Sequence, residues 1–579
     1  MCGIFTLLNY EQKITKDIIQ NQFEKGRGRG PEDSVLQKVG CKITFGFHRL
    51  AINGLNTESN QPLVKGDLTL ICNGEIYNYK ELYSLMNSEE SRVVPKTQSD
   101  CEVIIWLYER YGIEQTLQML DGVFAFALLD QRIIIGEPVL YLARDPYGVR
   151  PLYHLHRTSI KLNRAEESTI GFASELKMLS EFTKDYPYQV QQFQPGTYSK
   201  YVFSDQVCSE WAPLQENTVY HRTAFSNVYD STTDMNILSI TGTTENTASI
   251  IKGIQKYLVR AVEKRCSTTE RPIACLLSGG LDSSLIAALV NDYHKRHGLP
   301  QLETYSIGLA ESTDLRYARI VAEHLGTKHH EVILTEQEFC EAIPEVICAI
   351  ESYDTTSVRA SIGNYLLGKY IAKHSEAKVI FNGDGSDELL GGYLYMKSAP
   401  DAIEFDRECR RLLADIHAFD VLRSDKSISS HGLEPRTPFL DREWTQFYLS
   451  ISPTIRYAPE EIEKYLLRYA FSMRLYQTHE GTALLPEEVL MRKKEAFSDG
   501  VSGHERSLYQ VLQEYCATKP VMALDSKHNI SKTKEQEYYR TVFESFYPGL
   551  GTIVPYFWMP KYVEATDASA RTLATYTST

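Results

Sequence analysis

The residues best suited by type and spacing to do chemistry fall in three short stretches. The first, Ser278-Gly279-Gly280-Leu281-Asp282-Ser283-Ser284, follows the apolar run 273–277 and leads into the apolar run 285–290. A buried strand that turns through glycines into a helix gathers backbone N–H groups and the positive helix end at one point, which makes an anion site. Ser278, Ser283 and Ser284 add hydroxyl donors suited to phosphate, and Asp282 adds a carboxylate suited to magnesium. No lysine follows the glycines, so the Walker A pattern is absent. The second stretch, Asn382-Gly383-Asp384-Gly385-Ser386-Asp387-Glu388, follows the apolar residues 379–381. Ligands of open α/β sheets gather at such strand ends. A calcium loop of the EF-hand type needs glycine at its sixth position; counting from Asp384, that position is Leu389. The third stretch begins at Cys2. Removal of Met1 would leave Cys2 a free α-amine, whose reference pKa of about 7.7–8.0 suits it to activate its own thiol.

These groups need rigid elements to hold them. Cys2 opens a strand, and 47–52 and 72–78 each pair a hydrophobic strand with a polar tip. Asn73-Gly74 also fits a plain hairpin turn, and Asp100 also fits the N-cap of the helical pattern that follows it. After residue 249, helices alternate with strands, which predicts a parallel sheet. Strands are expected at 273–277, 304–308, 329–334 and 378–381, with a helix capped by Asp314 and ended by Gly326. From 209 to 248 the composition shifts to Ser, Thr, Asn and Tyr with little periodicity, a linker between domains at 1–208 and 249–579.

The totals narrow the classes. A chain of 579 residues with 43% hydrophobic content can build two to four full cores. Lys+Arg 61 against Asp+Glu 75 leaves a net charge of −14, which argues against a nucleic-acid or anionic-membrane surface. Gly26-Arg27-Gly28-Arg29-Gly30 is too short for an RNA-binding tract. The 11 cysteines lack any C-x-x-C pair and, Cys2 excepted, read as small buried residues in a reducing compartment. No apolar run has the length of a membrane span, and no basic region precedes 3–8 as in a signal peptide, so a cytoplasmic location is expected.

Cys2, Arg49, Asn73-Gly74 and Asp100 together resemble the class II glutamine amidotransferase domain, an N-terminal-nucleophile αββα sandwich. The Ser278–Ser284 loop resembles that of N-type ATP pyrophosphatases, whose doubly wound parallel sheet completes an α/β fold. With Tyr353-Asp354, Val358–Ser361, Gly432–Asp441, Lys494–Gly500 and Ala565–Leu573, nearly the whole chain resembles the glutamine-hydrolysing asparagine synthetase family, the tail being closer to its animal and fungal members. The resemblance implies that Cys2 attacks the glutamine side-chain amide, with the Asn73 side chain and Gly74 N–H as the oxyanion hole. Arg49 would hold the glutamine carboxylate and Asp100 its amine, with Leu50, Ala51, Ile52, Asn53 and Glu75 lining the pocket. It implies further that ATP and aspartate give β-aspartyl-AMP and magnesium pyrophosphate, which ammonia reaches through an internal tunnel. Leu277, Ser278, Gly279, Gly280, Asp282, Ser283, Ser284, Ile307, Asn382 and Gly383 would hold ATP, and Asp282 and Asp387 the Mg2+. Lys494 would neutralise the phosphates, although Arg492-Lys493-Lys494 also reads as a solvated charge run.

Two segments depart from the family pattern. His-Arg-Gly-Pro-Asp is replaced by Gly28-Arg29-Gly30-Pro31-Glu32, which puts the hydrogen bonds flanking that loop in question. Ser-Gly-Glu-Gly-Ser-Asp-Glu is replaced by Asn382–Glu388, so Asp384 stands one methylene short of a glutamate implicated in forming the acyl-adenylate. A catalytic Asp384 is the expectation here, a turn cap the alternative. An amidotransferase acting on another carboxylate stays open, as does a homodimer; a pure sensor would have no need of Cys2, Arg49, Asp282 and Asp387.

Overall fold

The computed structural model describes residues 2–10, 14–87, 93–157, 169–184, 188–204, 209–222, 244–495, 500–502, 506–523 and 527–569. Outside them lie 205–208 at the expected domain boundary, 223–243 of the expected linker, 496–499 of the Lys494–Gly500 motif and 570–573 of the tail motif.

Two antiparallel sheets of six strands form the first half. One runs β10–β8–β9–β1–β3–β2, from Tyr188–Gln192, Tyr153–Arg157, Ile170–Ala173, Gly3–Leu8, Ile43–Arg49 and Asp33–Gly40. The other runs β12–β11–β7–β6–β5–β4, from Glu210–Val219, Thr197–Ser204, Val139–Arg144, Gly122–Asp130, Leu68–Ile76 and Leu63–Lys65. Strand alternation gives each sheet two apolar faces. Ile4 and Leu8 of β1 pack with Phe45 and Phe47 against Ile71, Ala125, Ala127 and Leu142 of the other sheet. Phe5 and Leu7 turn outward onto Ile19 and Phe23 of the helix Lys16–Glu24. Beyond the second sheet, Cys72, Phe124 and Phe126 cover Ile104 and Leu107 of the helix Val103–Met119. Facing sheets between helices are the expected sandwich.

Five parallel strands form the second half, in the order β15–β14–β13–β16–β17: Lys328–Ile333, Glu303–Gly308, Ile273–Leu276, Val379–Phe381 and Glu434–Arg436. Both faces are covered, since Cys275 and Phe381 join one core while Ala274, Leu276 and Ile380 join another. The order reverses beside β13, so the loops after the neighbouring strands β13 and β16 open onto one crevice.

Two local expectations, the Asp314 cap and the 209–248 linker, differ from the structure, and so do two alternatives, the Asn73-Gly74 turn and the Asp100 cap. Asn73 and Gly74 lie inside β5, opposite Ala125 and Phe124, so they form no hairpin turn. Ser312 rather than Asp314 caps the helix Thr313–Leu325, because Asp314 is drawn into an ion pair with Arg492. Likewise Ser99, not Asp100, accepts at the helical turn Asp100–Glu102, Asp100 being taken by the Ile76 N–H. Within the expected linker, β12 is a full strand paired with β11, and the helix Thr244–Ser267 has begun before its end.

Candidate active site

β1 carries Cys2 against β3 and β5, so its end is fixed by a sheet rather than left as a frayed terminus. The Cys2 backbone N donates to Asn73 Oδ1 at 3.1 Å, and Cys2 Sγ lies 3.7 Å from the Leu50 carbonyl. Burial raises the Cys2 thiol above its usual pKa, so a thiolate there needs a base nearby. Asn73 Nδ2 points to Ser174 Oγ at 3.4 Å. A Cβ on Gly74 would come within 2.4 Å of the Val123 carbonyl, so only glycine lets β5 and β6 close beside Asn73.

Arg49 ends β3, and its guanidinium is held by the Gly54 and Asn56 carbonyls and Asn60 Oδ1. Three neutral oxygens fix it without neutralising it, which suits an incoming carboxylate. Glu75 and Asp100 are bridged by Asn53 Nδ2 at 2.6 and 3.5 Å. Burial lifts Asp100 to about 6 against the hydrogen bond from Ile76, and burial with the Asp100 charge lifts Glu75 well above the carboxylate range. Arg436 of β17 reaches Glu75 at 3.6 Å from the other half of the chain. Leu50 and Ile52 belong to a core shared with Ile254 and Leu258 of the helix Thr244–Ser267, so they serve the contact between the two halves of the chain.

In the second half, the Ser278 loop closes through its own hydroxyls. Ser278 Oγ lies 2.9 Å from Ser283 Oγ and accepts from the Gly280 N–H at 3.3 Å. Leu277, Ser278, Gly280, Asp282, Ser283, Ile307, Asn382, Gly383, Asp384, Asp387 and Lys494 line one cavity. Gly279 and Ser284 do not. Gly279, at φ +72°, makes the turn and packs its backbone on Tyr317 and Ala318. Ser284 is fully buried, because one further helical residue rotates it about 100° away from Ser283. The two loops touch: a Cβ on Gly383 would lie 2.8 Å from Asp282 Cβ, and Ser386 Oγ donates to Asp282 Oδ1 at 2.8 Å.

Asp282 and Asp387 converge on one point, held by the ammonium of Lys464 at 2.6 and 2.5 Å. Lys494 caps the other oxygen of Asp387, so it is no part of a solvated run. Burial opposes ionisation of Asp387, but the two lysines hold its carboxyl far below the usual range, and Lys494 is correspondingly raised against its own burial. Among the described residues, no group of three or more His, Cys, Asp or Glu forms a metal cage. Two carboxylate oxygens meeting at one cationic point instead fit a hard ion that keeps its other positions for water and phosphate. Asp384 Oδ1 accepts from Arg423 at 3.3 Å, while its Oδ2 is buried with no hydrogen-bond partner among the described residues. Asn382 holds the loop, accepting from the Asp384 N–H at 3.3 Å and donating to Ser424 at 2.8 Å.

Ser424 and Arg423 belong to the helix Asp420–Ser429, whose far side meets the first half. Arg29 donates to the Cys2 carbonyl at 3.1 Å, to Glu175 at 2.6 Å, and to Asp425 and Ser429 of that helix at 2.7 and 2.9 Å. The departures beside Arg29 also find partners. A Cβ on Gly28 would sit 3.0 Å from the Ser430 carbonyl, and Glu32 accepts from the Ala51 N–H at 2.7 Å and Arg271 at 2.6 Å. Lys464 and Arg423 carry no mark in the sequence, and Arg436 is marked only as part of the Gly432–Asp441 motif. Lys464 lies among Glu460, Glu461, Glu463 and Arg468, where a lysine reads as one of a solvated face.

Fold and site define a class: a glutamine amidotransferase sandwich built onto an ATP-using synthetase domain. Residues 1–210 match the glutamine amidotransferase domain family, and residues 253–405 and 397–552 match the asparagine synthase family. The chain is 40% identical over 593 residues to "Asparagine synthetase [glutamine-hydrolyzing]" of Gallus gallus, covering 100% of this chain and 99% of that one. It is 39% identical over 594 residues to the protein of the same name from Homo sapiens, with the same coverage. The chain belongs to the glutamine-hydrolysing asparagine synthetases.

Proposed function

We propose that this enzyme makes asparagine from aspartate, ATP and glutamine-derived ammonia, with glutamate, AMP and pyrophosphate as the other products. Cys2 Sγ attacks the amide carbon of glutamine, its proton passing to the α-amine left by removal of Met1. Asn73 Nδ2 and the Gly74 N–H receive the oxyanion, which collapses to a thioester with release of ammonia. Water then frees glutamate. Arg49 meets the glutamine carboxylate, and Asp100, with Asn53 and Glu75, meets the ammonium.

At the second site an oxygen of the aspartate β-carboxylate attacks the α-phosphorus of ATP, the bond to the β-phosphate breaks, and pyrophosphate leaves. The Ser278 loop cradles the phosphates, while Ile307, Asn382 and Gly383 border the nucleotide. Asp282 and Asp387 would hold magnesium, which would supply neutralising charge to the phosphate oxygens. Lys494 neutralises the leaving pyrophosphate. Ammonia, passing internally past the helix Asp420–Ser429, attacks the acyl carbon, AMP leaves, and Asp384 takes the surplus proton. On this reading the amidotransferase unit ends with β12, and the adenylating unit starts with the helix Thr244–Ser267.

The observation that carries the reading is the convergence of Asp282 and Asp387 on one cationic point beside the Ser278 loop, which suits pyrophosphate departure. Incubation with ATP, magnesium, glutamine and a panel of amino acids tests it. Asparagine, glutamate, AMP and pyrophosphate should appear in equal amounts, with aspartate the preferred acceptor. ADP with orthophosphate would overturn it.

A further inference from the structure

The cation that joins Asp282 to Asp387 is part of the chain itself. Lys464 Nζ sits 2.6 Å from Asp282 Oδ2 and 2.5 Å from Asp387 Oδ1, and its side chain is 1% exposed. The position is built. Lys464 adopts φ +58°, a left-handed conformation unfavourable for a residue with a side chain, immediately before the helix Tyr465–Ala470. Gly392 lies against its stem: a Cβ there would fall 2.0 Å from Lys464 Cε and 2.2 Å from Asp387 Oδ1. Any side chain at 392 would therefore push the lysine or the carboxylate away.

An ammonium and a divalent ion need the same carboxylate oxygens, and their charges repel, so one excludes the other. We propose that Lys464 is a placeholder cation, a positioning residue that holds Asp282 and Asp387 together until the nucleotide brings a divalent ion, and that must withdraw before the ion takes those oxygens. This rests on the reading of Asp282 and Asp387 as the metal carboxylates. It gives the site an order of events. The carboxylates stay together without mutual repulsion in the substrate-free enzyme, and metal enters with nucleotide rather than ahead of it.

The test is Mn2+ binding to the full-length enzyme without nucleotide, by electron paramagnetic resonance, with melting curves recorded with and without Mn2+. Lys464→Met keeps most of the side chain's length and removes its charge. It should bind Mn2+ about tenfold tighter than the unaltered enzyme, equivalent to about 1.4 kcal/mol, and gain more thermal stability from the ion. Lys464→Arg keeps the charge and should behave like the unaltered enzyme, a difference that a merely structural lysine would not produce. Lys464→Gln replaces the methionine variant should that one fail to fold. Equal Mn2+ affinity with and without the lysine charge, or the same gain in Lys464→Arg, would overturn the proposal. Asp387→Asn added to Lys464→Met should abolish the gain. If the gain survives, the ion sits elsewhere, and the reading of the carboxylates falls with the proposal. If no gain appears while Mn2+ still binds with ATP in an Asp387-dependent way, the placeholder role alone falls.

Discussion

Replacing Asp384 by alanine should separate synthesis from everything else the chain does. The carboxylate is held on one side only, by Arg423 at 3.3 Å, while Oδ2 stands buried and unpartnered among the described residues. Arg423 keeps its closer contacts to Asp420, at 2.6 and 2.8 Å, so the change orphans no cation. The structural loss is then one long hydrogen bond, about 0.5–1.5 kcal/mol. In the proposed role the catalytic loss would be that of a general base, about 10²–10⁴ in rate, or about 2.7–5.4 kcal/mol of barrier. These magnitudes differ enough to be told apart. Asparagine formed from added ammonium, aspartate and ATP bypasses Cys2 and reads the second site alone; glutaminase activity and binding of an ATP analogue, on the same preparation, report its integrity. Asp384→Glu advances the oxygens by about 1.5 Å, one carbon–carbon bond, and should retain substantial synthesis. Near-normal asparagine formation by Asp384→Ala would refute the catalytic role, as would loss of glutaminase in parallel with synthesis.

The two sites should also fail independently. Cys2→Ala should abolish glutamine-dependent synthesis and spare ammonium-dependent synthesis, and loss of the latter in a folded protein would count against separable sites. Asp282→Asn should stop AMP and pyrophosphate formation while most glutaminase activity persists; a parallel fall in both would contradict it. Burial lifts Asp100 to about 6, so it takes up a proton as pH falls through 6 and, in the role proposed for it, would lose its attraction for the glutamine ammonium. The KM for glutamine should rise from pH 7 to pH 5, and Asp100→Asn should flatten that limb at a uniformly weaker affinity. The same raised value means that folded protein binds a proton between about 3.9 and 6 that the unfolded chain does not. Asp100 therefore costs stability as pH rises through that window, and Asp100→Asn should relieve the cost in melting curves at pH 7 but not at pH 4.

What the sequence determined by itself was local. A strand running through Gly279-Gly280 into a helix, a second acidic glycine loop after 379–381, and a cysteine at position 2 each carry their chemistry within a few residues. Alternating helix and strand was enough for a parallel sheet, and the sandwich followed from the family likeness. The tertiary structure decided everything that rests on charges far apart in the chain. Ser312 and Asp314 are both capping residues by type, and only Arg492, folded back onto Asp314, selects between them. Asn73-Gly74 suits a turn until β6 supplies the partner that makes it a strand. Arg29 joins Cys2 to Asp425, and Arg436 reaches Glu75 from β17, across most of the chain. Lys464 has no local mark, since an isolated lysine among acidic residues belongs by pattern to solvent. A buried ion pair is chosen by the carboxylates that meet at one point in space, and no window of sequence contains both Asp282 and Lys464.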